Sequence, residues 1–388
     1  YIHLKCKSGE YAKVKGDRIK YIRVIADLFC GRSLVGMTLT KMLKKGLGAE
    51  PLTINSGECV IQFCDSSTPE ALNTVFERLI DPSRAHPGCL FYGVCYSDDF
   101  CISYIKEGKV SRFNLDISSC DSSHRPPAFA RLLAVTPPQA RACMMRLIAQ
   151  CMLPWRVKSA VDPKNYYELR PKEPMLPSGS TITTIINTLA TYSLCLSIFE
   201  NHFKGRMTIA DCGLNVGYGL TGVEPLETIE ELQFLKNSPV RCGNRYVTML
   251  NIGVMLRAVG ICRGDLPGRG DIRKRAREFN YALIHGMYPN TDFKLKRVLQ
   301  GVQVDVRDSI RARVQERLSH VAINADSVTL LDSDIYRRYN LEDWEIQSFY
   351  SLLEGDPFAL EVNASLANKV YMKDYGMHSY AHAAPLSA

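Results

Sequence analysis

Two apolar segments joined by a short acidic turn constrain the fold of this chain most strongly. Residues 90–95 and 100–105 are rich in aromatic and β-branched side chains, and a Ser-Asp-Asp turn at 97–99 stands between them. This pattern predicts a β-hairpin with aspartates at its tip. A third strand is predicted over 112–117, with Asp116 near its end. The carboxylates would then share a partly desolvated cleft, which is costly unless a cation is bound.

The residue types at these strand ends favour phosphoryl chemistry. Mg²⁺ prefers a few carboxylates together with substrate phosphates, and two such ions bridged by aspartates clamp a phosphate for in-line displacement. The carboxylates of the two acidic clusters, Asp98 with Asp99 and Asp116 with Asp121, are therefore candidates for binding a cation. The chain has 48 Lys and Arg against 40 Asp and Glu, a net charge of +8. A basic body around an acidic site suits a polyanionic ligand.

Length, hydropathy and cysteine spacing exclude several classes. A chain of 388 residues can bury a large core, as two or three domains or as one enzyme with subdomains. The longest apolar stretch, 181–199, contains several polar residues and predicts a buried helix rather than a membrane span. The 14 cysteines show no Cys-x-x-Cys spacing, which disfavours zinc knuckles and predicts reduced cysteines in the core.

The remaining segments predict a mixed α and β chain. Residues 13–25 alternate basic and apolar side chains, as expected of a strand or ribbon with one cationic face. A helix is predicted from Pro69 and is stopped by Pro82. Residues 162–177 are polar and proline-rich, which predicts a loop. Beyond residue 236 the arginine-rich, helical spacing predicts a mostly helical subdomain.

Six short motifs in this chain resemble those of a viral RNA-dependent RNA polymerase. The three palm motifs are Asp116-x4-Asp121 for motif A, Ser178-Gly179-x3-Thr183-x3-Asn187 for motif B, and Ser97-Asp98-Asp99 for motif C. The other three are Lys20-x-x-Arg23 for the basic fingers motif F, residues 218–221 for motif D, and Phe234-Leu235-Lys236 for the motif E primer grip.

The order of these motifs is the unusual part of the resemblance. No Asp-Asp pair lies between Asn187 and Phe234, whereas Asp98-Asp99 precedes Asp116. This C, A, B order is similar to the permuted palm of permutotetraviruses and birnaviruses. The resemblance leads us to expect an Asp-Asn pair in birnaviruses, so the Ser-Asp-Asp tip favours the permutotetravirus side.

The resemblance implies an α+β, right-hand polymerase with an antiparallel palm sheet. Its divisions would be fingers at 1–89 (truncated at the N-terminus and carrying motif F) and 126–175, palm at 90–125 and 176–235, and thumb at 236–388, starting with motif E and ending in a tail. The usual upstream fingers segment would be missing from this chain.

The resemblance also implies a role for each matched residue. Asp98, Asp99 and Asp116 would be catalytic and would hold two Mg²⁺ or Mn²⁺ ions. Nucleotide binding would fall to Lys20, Arg23, Asp121, Ser178, Gly179, Thr183 and Asn187, with Asp121 and Asn187 reading the ribose 2′-hydroxyl. RNA and primer contacts would come from Phe234, Leu235, Lys236, Arg273, Lys274 and Arg277.

The implied function is template-directed RNA synthesis, by transfer of a nucleotide to an RNA 3′-hydroxyl. The implied partners are RNA template, primer or product duplex, nucleoside triphosphates and other viral replication proteins, in a replication complex of the host cytoplasm or in the virion. Two alternatives stay open. A reverse transcriptase shares the palm geometry but would normally exclude the 2′-hydroxyl, and an inactive, RNA-binding palm remnant would not need all the carboxylates. Motif D has no lysine before Lys236, so the proton donor for pyrophosphate is unassigned.

Overall fold

The protein is a mixed α+β chain built around two main sheets. The computed structural model describes residues 1–6, 13–15, 18–20, 24–28, 30–65, 68–159, 162, 164–254, 308, 312, 336–354 and 364–375. The backbone divides into two compact units. Unit 1 comprises Tyr1–Lys7, Arg23–Ser67 and Glu77–Glu227, and unit 2 comprises Ser8–Ile22, Thr68–Phe76 and Thr228–Ala388. The predicted boundaries of fingers, palm and thumb stay predictions.

The elements are numbered in chain order. The strands are β1 (Ile2–Cys6), β2 (Lys13–Lys15), β3 (Arg18–Lys20), β4 (Val24–Asp27), β5 (Leu52–Ile54), β6 (Cys59–Phe63), β7 (Phe91–Tyr96), β8 (Asp99–Lys106), β9 (Lys109–Ile117), β10 (Trp155–Lys158), β11 (Tyr166–Leu169), β12 (Leu220–Thr221), β13 (Asn237–Cys242) and β14 (Arg245–Leu250). The helices are α1 (Cys30–Leu47), α2 (Pro69–Ile80), α3 (Cys120–Ser123), α4 (Pro126–Val135), α5 (Arg141–Gln150), α6 (Thr183–Ser197), α7 (Ile209–Val216), α8 (Asp343–Glu354) and α9 (Ala364–Tyr375).

The larger sheet of unit 1 has the strand order β12-β9-β8-β7-β6-β5. Only β6 and β7 pair in parallel, and the other neighbours are antiparallel. The pairing of Tyr96 with Asp99 confirms the predicted hairpin, and the pairing of Phe100 with Leu115 confirms the third strand beside it. The return turn uses Glu107 and Gly108, both with positive φ, which matches the right-handed twist of a tight hairpin.

One face of this sheet packs against α6 and α7. The period-two pattern of β8 and β9 directs Phe100, Ile102, Phe113 and Leu115 into a core shared with α6. Burying each such side chain contributes about 1.5–3 kcal/mol. Gly93 allows the helix to approach, because an added Cβ would lie 3.0 Å from the Cys195 sulfur. The apolar helix predicted over 181–199 is therefore present as the buried helix α6, and it continues as a π-helical segment over Ile198–Phe203.

The second sheet of unit 1, ordered β11-β10-β1-β4, includes an element that the sequence did not predict. The prediction of a continuous loop over 162–177 was wrong, because Tyr166–Leu169 forms β11 and pairs antiparallel with β10. All four residues of β11 are exposed, so no alternation of burial marks the strand. Hydrogen bonds to a partner strand, rather than an apolar face, define it.

The cysteines behave as small core residues, as predicted. The eleven cysteines whose side chains the structure describes are free thiols, and nine of them are buried. Burial raises the pKa of the Cys101 and Cys195 thiols well above its usual range. Within the same residues, no helix is both long and apolar enough to cross a bilayer.

Unit 2 contains two short hairpins as well as helices. The pairing of Lys13 with Lys20 makes β2 and β3 the ribbon predicted for this basic stretch. The prediction of a mostly helical segment from residue 236 was incomplete, because β13 and β14 form a hairpin there before α8 and α9. Pro239 is tolerated within β13 because a two-stranded sheet leaves each strand one unpaired edge. The arginine-rich helix predicted near residues 306–318 lies outside the described residues, apart from two isolated positions.

Candidate active site

The acidic turn between β7 and β8 is fastened to helix α6. Ser97 has φ 56°, a left-handed conformation that costs a residue with a side chain about 1–3 kcal/mol unless neighbouring contacts hold it. The Ser97 N–H donates to Thr188 Oγ1 at 2.9 Å, and Thr191 Oγ1 donates to the Ser97 carbonyl at 3.3 Å. Asn187 Nδ2 donates to Ser97 Oγ at 3.4 Å. These contacts fix the turn that carries Asp98 against the helix that carries Asn187.

Strand register brings two of the predicted metal ligands side by side. Phe100 and Leu115 are the last pair of the β8–β9 ladder, and the same register, continued by one step, places Asp99 opposite Asp116. Directly opposite residues of antiparallel strands have Cβ atoms about 4.5–5.5 Å apart and share one face of the sheet. Because Phe100 and Leu115 point into the α6 core, Asp99 and Asp116 lie on the opposite face.

Three carboxylates also lie near the buried thiol of Cys120, in the first turn after β9. Burial is the main reason why the pKa of this thiol is raised well above its usual range. The next contributions come from the negative charges of Asp98, Asp121 and Asp116, in that order. The acidic turn, the end of β9 and the start of α3 therefore lie close together, at the same end of the inner strands of the sheet.

A chain of hydrogen bonds leads from motif D to motif A. The hydroxyl of Tyr218 and Nδ1 of His124 are 3.0 Å apart, and Nε2 of His124 is 2.7 Å from Asn187 Oδ1. Asn187 Nδ2 in turn donates to Asp121 Oδ1 at 3.0 Å. Burial lowers the pKa of His124, so the ring is neutral at pH 7. Asp121 and Asn187 are thus in direct contact, and their predicted joint role in binding the ribose stays a prediction.

The predicted metal ligands have the oxygen atoms that magnesium prefers. Asp98, Asp99 and Asp116 offer only carboxylate oxygens, which Mg²⁺ prefers over nitrogen or sulfur ligands. Within the described ranges, no group of three His, Cys, Asp or Glu side chains is close enough to hold a metal ion by itself. Magnesium sites commonly use one or two carboxylates and complete their shell with water and substrate phosphates. The two-ion site therefore stays a prediction.

The motif B loop connects to the second sheet. The carbonyl of Ser178 accepts from the Ala26 N–H of β4 at 2.8 Å, and Gly179 has φ 92°, which favours glycine. Thr183 begins α6 one turn before Asn187 and lies on the same helix face. Its buried Oγ1 has no hydrogen-bond partner among the described residues, which is unusual for a buried hydroxyl.

The segment that resembles motif D, residues 218–221, includes β12, which pairs antiparallel with β9, the strand that contains Asp116. In β12, Thr221 pairs with Asp116 and Leu220 pairs with Ile117. An added Cβ at Gly222 would lie 2.1 Å from the Asn114 carbonyl oxygen, so only glycine allows the chain to pass β9 this closely. This pairing explains how Tyr218, two residues before β12, reaches His124.

Motif E belongs to unit 2 and is more buried than its predicted role requires. Phe234 is 1% exposed, and Leu235 and Lys236 form a tight turn with φ 49° and 60°. Lys236 Nζ donates to the Asp374 carbonyl at 3.1 Å and lies 4.7 Å from the centre of the Tyr375 ring. A primer contact here would rest on Leu235 and Lys236, and it stays a prediction.

The other predicted site residues fall outside the part of the chain that the structure describes. Lys20 lies in β3, but its side chain is not described. The same holds for the whole of Arg23, Arg273, Lys274 and Arg277. Their proposed contacts with triphosphate and RNA stay predictions.

Comparisons with known proteins give a fold-level likeness. No protein-family model matches the chain, and no curated protein matches it in sequence. Among solved structures, it is similar to a chain in the X-ray structure of the birnavirus VP1-VP3 complex, with a TM-score of 0.47 and 10% identity. The match covers 80% of this chain and 44% of that one, so this chain spans less than half of its length.

Proposed function

We propose that this chain is an RNA-directed RNA polymerase of the viral, permuted-palm type. The observation that carries the proposal is the fastening of the Ser97 turn to α6 through Thr188, Thr191 and Asn187. Together with the hydrogen bond from Asn187 to Asp121, these contacts join the three segments that resemble motifs C, A and B. Acidic groups suited to magnesium and an amide suited to a ribose hydroxyl then lie within one site of unit 1.

In this proposal the carboxylates hold the metal and the neighbouring polar groups select the substrate. Bound Mg²⁺ or Mn²⁺ would supply Lewis acidity and neutralise phosphate charge, with Asp98, Asp99 and Asp116 as ligands. Asp121 and Asn187 would bind the ribose 2′-hydroxyl, which distinguishes ribonucleotides from deoxyribonucleotides. Thr183, whose buried hydroxyl has no partner among the described residues, would offer a further hydrogen bond on the same helix face.

The remaining roles concern the polyanionic partners. Lys20 and Arg23 would bind the triphosphate, arginine through paired hydrogen bonds and lysine as a point charge. Arg273, Lys274 and Arg277 would follow the phosphates of the product duplex, and base pairing would read the template. We propose RNA, nucleoside triphosphates and other viral replication proteins as partners, in the host cytoplasm or the virion.

Primer extension on an RNA template tests the proposal. The wild-type chain should extend an RNA primer with ribonucleotides and Mg²⁺, and should fail with deoxyribonucleotides alone or without metal. Asp98→Asn and Asp116→Asn should each lower extension at least a thousandfold, a cost of about 4 kcal/mol in activation free energy. RNA binding should survive, because phosphate contacts elsewhere dominate affinity.

Glu107→Gln is the matched control for these variants. Glu107 is exposed and lies in the turn at the opposite end of β8, where it has a positive φ like that of Ser97 in the acidic turn. The Glu107→Gln variant should extend primers at the wild-type rate.

In the primer-extension assay, a preference of the wild-type chain for deoxyribonucleotides would instead identify a reverse transcriptase. RNA binding without extension under any condition would support an inactive palm remnant and would contradict the proposal.

A further inference from the structure

We infer that His124 and Tyr218 are positioning residues that fix the orientation of the Asn187 amide and thereby set the sugar selectivity of this site. The inference rests on the proposed function and extends it to two residues outside the acidic cluster. Neither side chain touches the proposed metal ligands in the described contacts, so both would act through Asn187.

The hydrogen-bond directions follow from the atoms involved. Asn187 Oδ1 can only accept, so the His124 Nε2 that lies 2.7 Å away must carry the ring proton. A neutral ring has one proton, which leaves Nδ1 as an acceptor for the Tyr218 hydroxyl at 3.0 Å. The direction of each bond in the chain is therefore fixed by the one before it.

This chain determines which end of the amide faces the site. With Oδ1 held by His124, Asn187 Nδ2 is directed at Asp121 and at Ser97. A reversed amide would place its NH₂ group against the N–H of His124 and its oxygen against the Asp121 carboxylate. His124 and Asn187 are each 1% exposed, so water cannot relieve either clash.

Tyr218 matters because it selects the ring tautomer. Without the Tyr218 hydroxyl, Nδ1 of His124 loses its hydrogen-bond donor. The ring proton can then move from Nε2 to Nδ1. Nε2 would then accept from a reversed Asn187 amide. The donor that faces Asp121 would be lost, and with it the pairing proposed to hold the 2′-hydroxyl.

Two conservative substitutions separate the two ring nitrogens. Gln places its amide nitrogen as many bonds from Cβ as Nε2, so His124→Gln keeps the donor to Asn187. Asn reaches only as far as Nδ1, so His124→Asn loses that donor. Tyr218→Phe removes one oxygen and leaves the ring in place. A general packing effect would not distinguish the Gln variant from the Asn variant.

The chain also offers a matched control for Tyr218→Phe. Tyr104 and His202 form a second Tyr–His pair in unit 1, with a 3.1 Å contact and ring centres 5.8 Å apart, against 3.0 Å and 5.7 Å for Tyr218 and His124. Tyr104 is buried as well, at 8% exposure. Tyr104→Phe therefore removes an equivalent hydroxyl without affecting Asn187.

The measurement is the ratio of kcat/KM for a ribonucleotide to that for the matching 2′-deoxynucleotide. Tyr218→Phe and His124→Asn should lower this ratio by about five- to tenfold, the effect of one neutral hydrogen bond. His124→Gln and Tyr104→Phe should keep the wild-type ratio. Equal ratios in all variants, or an equal loss in both His124 variants, would overturn the inference.

Equilibrium binding separates this inference from the proposed function. ATP and 2′-deoxyATP are titrated against each variant in the presence of Mg²⁺, with no primer present. If the wild type fails to extend primers but binds ATP more tightly, and Tyr218→Phe removes that preference, the polymerase proposal fails and the inference stands. Absence of any preference in the wild type would overturn the inference.

Discussion

The two units bury polar side chains in different ways. Unit 1 holds a hydrogen-bonded relay, defined here as Tyr218, His124, Asn187 and Asp121, whose first three members are neutral. Unit 2 holds a buried ion pair, Arg338 with Asp374, whose Nε and Oδ1 atoms are 3.0 Å apart. Both sets are satisfied by several hydrogen bonds, but only the relay ends at a half-buried carboxylate.

The ion pair of unit 2 acts as a staple between segments far apart in sequence. Arg338 donates through Nη1 to the carbonyls of Glu230 and Glu231 at 2.9 Å. Asp374 accepts from the Gly253 N–H at 2.9 Å and from the Tyr339 hydroxyl at 3.0 Å. Burial raises the pKa of Asp374, while Arg338 and the other donors oppose that shift.

This difference matches the ligand-binding role proposed for unit 1. In the staple, both charges are enclosed and every strong donor is used inside the unit. In the relay, each bond orients the next group, and the last of them presents an amide and a carboxylate beside the acidic turn. A site that must exchange its hydrogen-bond partners with substrate needs the arrangement of the relay, whereas a permanent structural contact favours that of the staple.

The largest expected effect breaks the staple. Arg338→Met should lower the free energy of unfolding of unit 2 by about 3–5 kcal/mol, because Asp374 is left buried without its counter-charge. The chain has two tryptophans, Trp155 in unit 1 and Trp344 in unit 2. Urea unfolding of a Trp155→Phe background, followed by Trp344 fluorescence, reports unit 2 alone.

Arg337→Met is the control for this measurement. Its side chain is 56% exposed, and its guanidinium lies 3.7 Å from Glu230, so the loss should stay below about 1 kcal/mol. If the two arginine variants unfold at the same urea concentration, the staple does not hold unit 2 together and the contrast between the units fails.

A smaller effect is expected at the fastening of the acidic turn. Thr188→Val should lower the stability of unit 1 by about 1–3 kcal/mol, because the Ser97 N–H loses its acceptor in a partly buried position. Fluorescence of Trp155 in a Trp344→Phe background reports this unit. Hydrogen exchange at Ser97 should accelerate in parallel.

Thr136→Val is matched to Thr188→Val. Both threonines are buried, and both donate at 2.7 Å to the carbonyl four residues earlier, but the Thr136 hydroxyl bonds only within its own helix end. Its replacement should cost less and should leave exchange at Ser97 unchanged. Equal effects of the two variants would show that the threonines serve the helix rather than the turn.

The elements that sequence predicts are those with a burial pattern of their own. Residues 112–117 alternate polar and apolar side chains, residues 100–105 form an almost wholly apolar and buried run, and α2 carries proline at its start, so the local sequence specifies these elements. Strand β11 has no buried residue, and its existence depends on β10. The hairpin β13–β14 contains Pro239, a local signal against a strand that the pairing overrides.

The candidate site likewise combines residues that the local sequence indicates with residues whose role depends on distant partners. The Ser-Asp-Asp turn, Asp116 and Asn187 carry residue types that suggest their chemistry directly. The contact between His124 and Tyr218 joins positions 94 residues apart, and each residue taken alone resembles an ordinary core side chain. Thr188 and Thr191 gave one usable signal, since two threonines in a buried apolar helix need hydrogen-bond partners.

The smallest expected effect concerns the pH dependence of the relay. Burial, with a smaller contribution from the Arg131 charge, lowers the pKa of His124 below its ordinary value of 6.5, against the opposing effects of Asn187 and Asp121. Between the folded and unfolded pKa values, the unfolded chain binds more protons, so stability rises with pH in that window. As the pH falls below 6.5, unit 1 should therefore lose stability, with a slope of at most about 1.4 kcal/mol per pH unit for one proton.

His124→Gln is the control, because it lacks this titration and keeps all the other histidines. The difference between the urea midpoints of the wild type and this variant, compared at pH 5 and pH 7, therefore isolates His124. If the two proteins lose stability in parallel over this range, the ring is not held neutral and the direction of bonds in the relay is wrong.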